Sequence, residues 1–234
     1  MNRNIMKVLY VHIPKNAGTY LSINLAANFR LDEQYIVDES STKLQDFLDN
    51  RAEVIDGHQF VTGHIPFRFV SPLAHKFDLI ISSYRDPWAR CWSFFRYITK
   101  NSTDFAHLKP TSPADAPEKF SRFIDEYFIN NIDSRNHQCG YLGEVNLPDS
   151  AMTNIDAHNI QILSSKSIEN DLHGLAKKYG LKLMPDAPKN ETPFDGIRVR
   201  QGEYEEIDCK IYQWFDGDYE LMNRIDKRRT GLTG

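Results

Sequence analysis

Two short apolar runs, residues 7–13 (Lys-Val-Leu-Tyr-Val-His-Ile) and 78–84 (Asp-Leu-Ile-Ile-Ser-Ser-Tyr), constrain the fold of this chain more than any other feature. Both are rich in β-branched and aromatic residues and lack regular polar–apolar alternation. They therefore read as strands buried on both faces, the condition of a parallel sheet covered by helices. Each run leads into a helix-start signal. After the first, Leu21, Leu25 and Phe29 recur at four-residue spacing and predict a helix over 18–30. After the second, Asp86-Pro87 supplies an N-cap followed by proline at the first helical position, predicting a helix through Tyr97. Residues 60–65 and 159–163 are weaker strand candidates. Amphipathic patterns at 118–131, 167–179 (closed by Gly180) and 203–215 predict further helices. Strands alternating with helices imply a three-layer α/β domain, a central parallel sheet flanked by helices.

The chain has 234 residues, 41% hydrophobic and 26% charged, which suits a single domain over 1–234 with its own core. A net charge of -4 gives no long-range attraction to nucleic acid, so an anion must be held by a local site. Cys91, Cys139 and Cys209 form no Cys-x-x-Cys pair, which argues against a zinc ribbon or a disulfide scaffold and for a reducing compartment. The run 8–13 is too short to span a membrane and has no signal-peptide cleavage site, so a cytoplasmic location is expected. Two stretches, 99–117 and 185–193, replace periodic patterning with proline and polar residues and read as loops of a length often used as lids or binding loops.

Residues 11–20, Val-His-Ile-Pro-Lys-Asn-Ala-Gly-Thr-Tyr, lie between the first strand and the first helix. Unpaired amides and the helix dipole make such a turn an anion cradle, to which Lys15 adds a full charge. The lysine precedes the glycine by three residues, unlike the Gly-x-x-x-x-Gly-Lys-[Ser/Thr] pattern, which disfavours an ordinary ATPase or GTPase. Arg85 follows the second strand at the end where open α/β sheets bind ligands. Two anion-binding strand ends suit a ligand with two phosphate groups.

With these segments in view, the chain resembles the sulfotransferases that use 3′-phosphoadenosine-5′-phosphosulfate (PAPS), in particular the carbohydrate-type group that includes heparan sulfate 2-O-sulfotransferase and bacterial relatives. His-Ile-Pro-Lys-Asn-Ala-Gly-Thr, 12–19, is similar to that family's 5′-phosphosulfate loop. The resemblance implies that Lys15 and the amides of Asn16, Ala17, Gly18, Thr19 and Tyr20 hold the phosphosulfate. Arg-Asp-Pro-x-x-Arg-x-x-Ser, 85–93, resembles the 3′-phosphate motif and implies that Arg85 and Ser93 bind that phosphate. Eight helical residues span roughly 12 Å, so the two converge only if the arginine folds back along its helix.

Thr62-Gly63-His64-Ile65-Pro66-Phe67 is similar to the family's Gly-His segment, in which the histidine is base toward the acceptor hydroxyl. His12 and His58 remain alternatives, His12 ranking lower because it is assigned to a buried strand. Asn136 and Gln138, in Asn-His-Gln-Cys-Gly-Tyr-Leu-Gly, match an acceptor-side stretch, and Pro188-Lys-Asn-Glu-Thr192 resembles a late loop covering the nucleotide.

The resemblance implies that the three-layer α/β domain is P-loop-like, and it implies transfer of a sulfuryl group from PAPS to a hydroxyl, on a carbohydrate, glycolipid or small molecule, releasing adenosine 3′,5′-bisphosphate. Lys15 would stabilise the leaving oxygen and His64 would take the proton. No metal is expected, because no carboxylates cluster at ligand spacing. A P-loop-like kinase would need a Walker lysine and a magnesium-binding carboxylate. A non-catalytic nucleotide-binding module would keep Lys15 and Arg85 without using His64.

Overall fold

The structure is a computed structural model that describes residues 6–37, 41–131, 134–184, 186–187 and 196–231. The described residues within 1–84 and 138–190 form one compact unit, and those within 85–137 and 191–234 form a second.

The first unit carries a five-stranded sheet: β1 (Val8–Val11), β2 (Gln34–Val37), β3 (Phe60–Gly63), β4 (Leu79–Tyr84) and β5 (Gln161–Ser164), in the order β2-β3-β1-β4-β5. All four pairings are parallel, with Val8 opposite both Phe60 and Leu79. The chain is thus α/β with a central parallel sheet flanked by helices, as the two apolar runs require. Every residue of β1, β3 and β4 is buried. Val8, Tyr10, Phe60, Leu79, Ile81 and Leu163 share one core with Leu21 and Leu25 of α1 (Gly18–Ala26), while Leu9 and Val61 are buried on the opposite face.

The strand order turns between β1 and β4, with β2 and β3 beyond β1 on one side and β5 beyond β4 on the other. The crevice at such a switch lies outside the carboxyl ends of these adjacent strands.

Some element bounds differ from expectation. β1 ends at Val11, so His12 lies beyond the strand it was assigned to. The edge strand β2 and α2 (Ser41–Gly57) have only weak sequence signals: Ile36 is half exposed, and Phe47 and Ile55 are the buried apolar residues of α2. α6 (Pro148–Ala157) is likewise short and only weakly patterned. The helix α7 (Ile168–Tyr179) ends at Gly180, in the left-handed conformation expected of its cap.

The second unit is helical. Trp88, Cys91, Trp92 and Phe95 line one face of α3 (Pro87–Asn101), and Phe120, Phe123, Ile124 and Phe128 line one face of α4 (Ala116–Asn130). Both sets recur at three- and four-residue spacing, so each helix presents one stripe. Ile207, Ile211 and Phe215 of α8 (Glu205–Thr230) complete this core. Burying one such aromatic ring contributes about 1.5–3 kcal/mol. The stretch 99–117 is anchored here, since Leu108 and Ala116 are fully buried. Asp115 accepts hydrogen bonds from the backbone nitrogens of Thr111 and Ser112 at 3.2 and 2.9 Å. The stretch 185–193 lies outside the described residues except for Asp186 and Ala187.

The last helix was expected to end at Phe215, and Phe215 does leave helical geometry (φ -132°, ψ 26°), but the helix resumes and runs to Thr230. Asn136 supplies the reason. Its Oδ1 accepts from the amides of Gly217 (2.9 Å) and Asp218 (3.3 Å), so a side chain 81 residues away caps the second half of the helix. Among the described residues, no helix is long and apolar enough to cross a membrane.

Candidate functional site

The loop between β1 and α1 has alternating backbone handedness. Lys15 (φ 70°) and Ala17 (φ 63°) are left-handed, whereas Asn16 between them is not. Alternation of this kind turns successive N–H groups into one concavity, an anion-binding nest. The α1 N-terminus behind it has Ala17 as N-cap, with no side-chain cap and no acidic residue in its first turn. Its positive dipole end is therefore not neutralised by a capping side chain or a first-turn carboxylate.

A left-handed non-glycine residue costs roughly 1–2 kcal/mol. Ala17→Gly is therefore expected to stabilise the protein by about 0.5–1 kcal/mol, measured by urea unfolding. A loss of stability would show that the loop is not held in this conformation.

Three side chains hold the loop. Asn16 is fully buried; its Nδ2 donates to the Ser83 carbonyl (2.9 Å) and to Oε1 of Gln138 (2.7 Å), and Ser83 Oγ donates back to the Asn16 carbonyl (2.7 Å). Ser83 escaped the sequence reading because nothing local distinguishes it from Ser82. His12 is the third, its ring lying over Gly18: a β-carbon there would sit 1.5 Å from His12 Nε2.

The loop glycine is therefore needed for close approach of a ring. The same ring stacks on Tyr10 (5.6 Å, 13°) and meets His64 edge to face, 4.5 Å between centroids. Burial, then the neighbouring His64 and Lys15, lower the His12 pKa to about 3, so this imidazole stays neutral at physiological pH.

Lys15, His12 and His64 thus converge at the carboxyl ends of β1 and β3, the end at which the sheet opens its crevice. His58 does not join them. It precedes β3 instead of following it, and its Nδ1 lies 2.8 Å from the Val54 carbonyl.

In the second unit, Asp86 caps α3, accepting from the Ala89 amide at 2.8 Å. This helix start is self-satisfied, so side chains must bind any anion here. Arg85 is half-buried and Ser93 is buried in α3. Burial lowers the Arg85 pKa from its ordinary value, as do the Arg96 and Arg90 guanidiniums, while Asp86 opposes them. Arginine stays charged regardless, so the shift records burial first and the neighbouring guanidiniums after it. Arg90 is buried and its Nη2 lies 2.5 Å from Nδ1 of His137. Guanidinium can only donate, so His137 Nδ1 is the acceptor. Arg90, Arg96 and His137 were not singled out from sequence, although Arg90 stands inside the Arg-Asp-Pro-x-x-Arg-x-x-Ser pattern.

Asn136 and Gln138 are both buried and engaged within the protein, Asn136 with Gly217 and Asp218, Gln138 with Asn16. Thr19 is exposed and Tyr20 half-buried on the first turn of α1. Pro188–Thr192 lies outside the described residues.

No protein-family model matches the chain. No curated protein matches it. Among solved structures it is similar to mouse sulfotransferase SULT7A1 complexed with PAP, at 14% identity and a TM-score of 0.41, covering 95% of this chain and 67% of that one.

Proposed function

We propose that this protein transfers a sulfuryl group from PAPS to an acceptor hydroxyl, on a carbohydrate, glycolipid or small molecule of the cytoplasm. The observation that carries the reading is the alternating-handed loop at the uncapped α1 N-terminus, with Lys15 in it and the His12–His64 pair beside it. The motif resemblances at 12–19 and 85–93 select the donor.

In this reading the loop amides and Lys15 hold the phosphosulfate. The acceptor oxygen attacks sulfur as the bond from sulfur to the bridging phosphate oxygen breaks. Lys15 stabilises the negative charge that grows on that oxygen, and the pair of electrons leaves with adenosine 3′,5′-bisphosphate. His64 accepts the proton of the acceptor hydroxyl. The Arg85 and Ser93 side chains hold the 3′-phosphate, the group that distinguishes this donor from ATP.

A thermal-shift comparison tests the donor. Adenosine 3′,5′-bisphosphate is expected to raise Tm more than adenosine 5′-phosphate at equal concentration, since ligand at about 100 times its Kd adds roughly 2.7 kcal/mol. Arg85→Ala should remove the difference. Equal shifts from both nucleotides in the unmodified protein would overturn the 3′-phosphate assignment. Incubation with PAPS and cell extract, followed by mass detection of a sulfated product, tests transfer itself.

A further inference from the structure

The loop carrying Lys15 is joined to a distant helix by a buried contact. Asn16 is 0% exposed and Gln138, in the first turn of α5 (His137–Leu142), is 1% exposed. Asn16 Nδ2 has two hydrogens and two acceptors, the Ser83 carbonyl at 2.9 Å and Gln138 Oε1 at 2.7 Å. The two acceptors fix the orientation of the amide between the left-handed residues Lys15 and Ala17. Two residues beyond Gln138, the Gly140 carbonyl accepts from Arg68 Nη1 at 3.1 Å. Arg68 lies four residues past His64, in the 3-10 turn Phe67–Phe69. The helix α5 is therefore tied by two residues two positions apart, Gln138 and Gly140, to the phosphate loop and to the segment bearing His64.

We infer that Gln138 is a positioning residue that, through Asn16, holds the loop in its alternating-handed form and sets it relative to the His64 segment. This differs from contact with the acceptor, the role that its place in the sequence suggests. The inference rests on the loop being the donor site. A loop residue with strained backbone keeps its conformation only where its surroundings over-determine it. The Asn16 clamp is the group placed to do so, since removing the Gln138 acceptor leaves a buried N–H unpaired.

Two variants separate the possibilities. Gln138→Leu removes the acceptor at similar volume, and Gln138→Glu keeps an oxygen in its place; Gln138→Met replaces the leucine variant if that one does not fold. Amide hydrogen exchange of residues 13–20, without ligand, is expected to quicken about tenfold or more in the apolar variant, beyond any change in the β4 amides. It should remain near that of the unmodified protein in Gln138→Glu.

Affinity for adenosine 3′,5′-bisphosphate should fall about tenfold in the apolar variant and recover in Gln138→Glu. Unchanged loop exchange in the apolar variant overturns the inference, as does an equal rise in exchange across the whole unit. If the unmodified protein binds no bisphosphate, the donor reading fails, and the exchange comparison still decides the role of Gln138.

Discussion

Gly18→Ala is expected to displace the His12 ring and to cost about 3 kcal/mol, near the upper end of the usual overpacking range. In a protein of this size that corresponds to a Tm lower by roughly 6–12 °C. The added β-carbon would stand 1.5 Å from Nε2 and 2.0 Å from Cδ2 of His12, closer than any non-bonded contact. The ring cannot slide aside cheaply, because it is stacked on Tyr10 and set edge-on to His64. Nor can the helix start retreat, because Asn16 ties the loop to Ser83 and Gln138. The control is the double variant Gly18→Ala with His12→Ala, in which the methyl group enters the space the ring has left. Most of the lost stability should return in calorimetry. A single variant as stable as the unmodified protein would show that the ring does not lie over the glycine.

Replacing His64 with alanine should lower sulfuryl transfer by about 10²–10⁴-fold, the usual contribution of a positioned base, with bisphosphate affinity and Tm little changed. The pH dependence of the unmodified protein separates His64 from His12. The folded state lowers the His12 pKa to about 3 from the ordinary 6.5, so His12 remains neutral until the pH falls near 3. A transfer rate that drops as pH falls, with its midpoint well above 3, therefore cannot report His12.

The same shift has a consequence for stability. The unfolded chain takes up a proton on His12 below about pH 6.5 and the folded chain does not, so stability falls as pH decreases from about 6.5 toward 3. His12→Gln should flatten that part of the stability curve. A His64→Ala protein that folds, binds bisphosphate and transfers at a near-normal rate would exclude His64 and leave His12 as the adjacent imidazole.

Much of the candidate site was legible because its signals are local. The Lys15 loop stands between a β-branched run and an apolar helical stripe, and Arg85 stands between another such run and an Asp-Pro helix start. His64 is at the end of a third strand. In a parallel sheet, the residues just after the strands must emerge at one edge, so three local patterns are enough to bring loop and histidine together. The two left-handed residues were not legible: Lys15 and Ala17 are not residue types that favour positive φ, and the Asn16, Ser83 and His12 contacts that hold the loop join residues far apart in the chain.

By itself, the sequence determined the α/β class, the buried strands β1 and β4, the helix starts at Gly18 and Pro87, and the placement of Lys15, His64 and Arg85 at strand ends. These follow from hydrophobic periodicity and capping, which act over a few residues. Tertiary structure alone decided which polar side chains meet. Asn16 finds Gln138 across 122 positions, and Asn136 caps α8 at Gly217 across 81, carrying that helix past the break at Phe215. His12 closes over Gly18 and against His64 because β1 ends one residue before it. Such contacts join single polar groups that must be satisfied once buried, and a one-to-one hydrogen bond has no period along the chain by which it could be read.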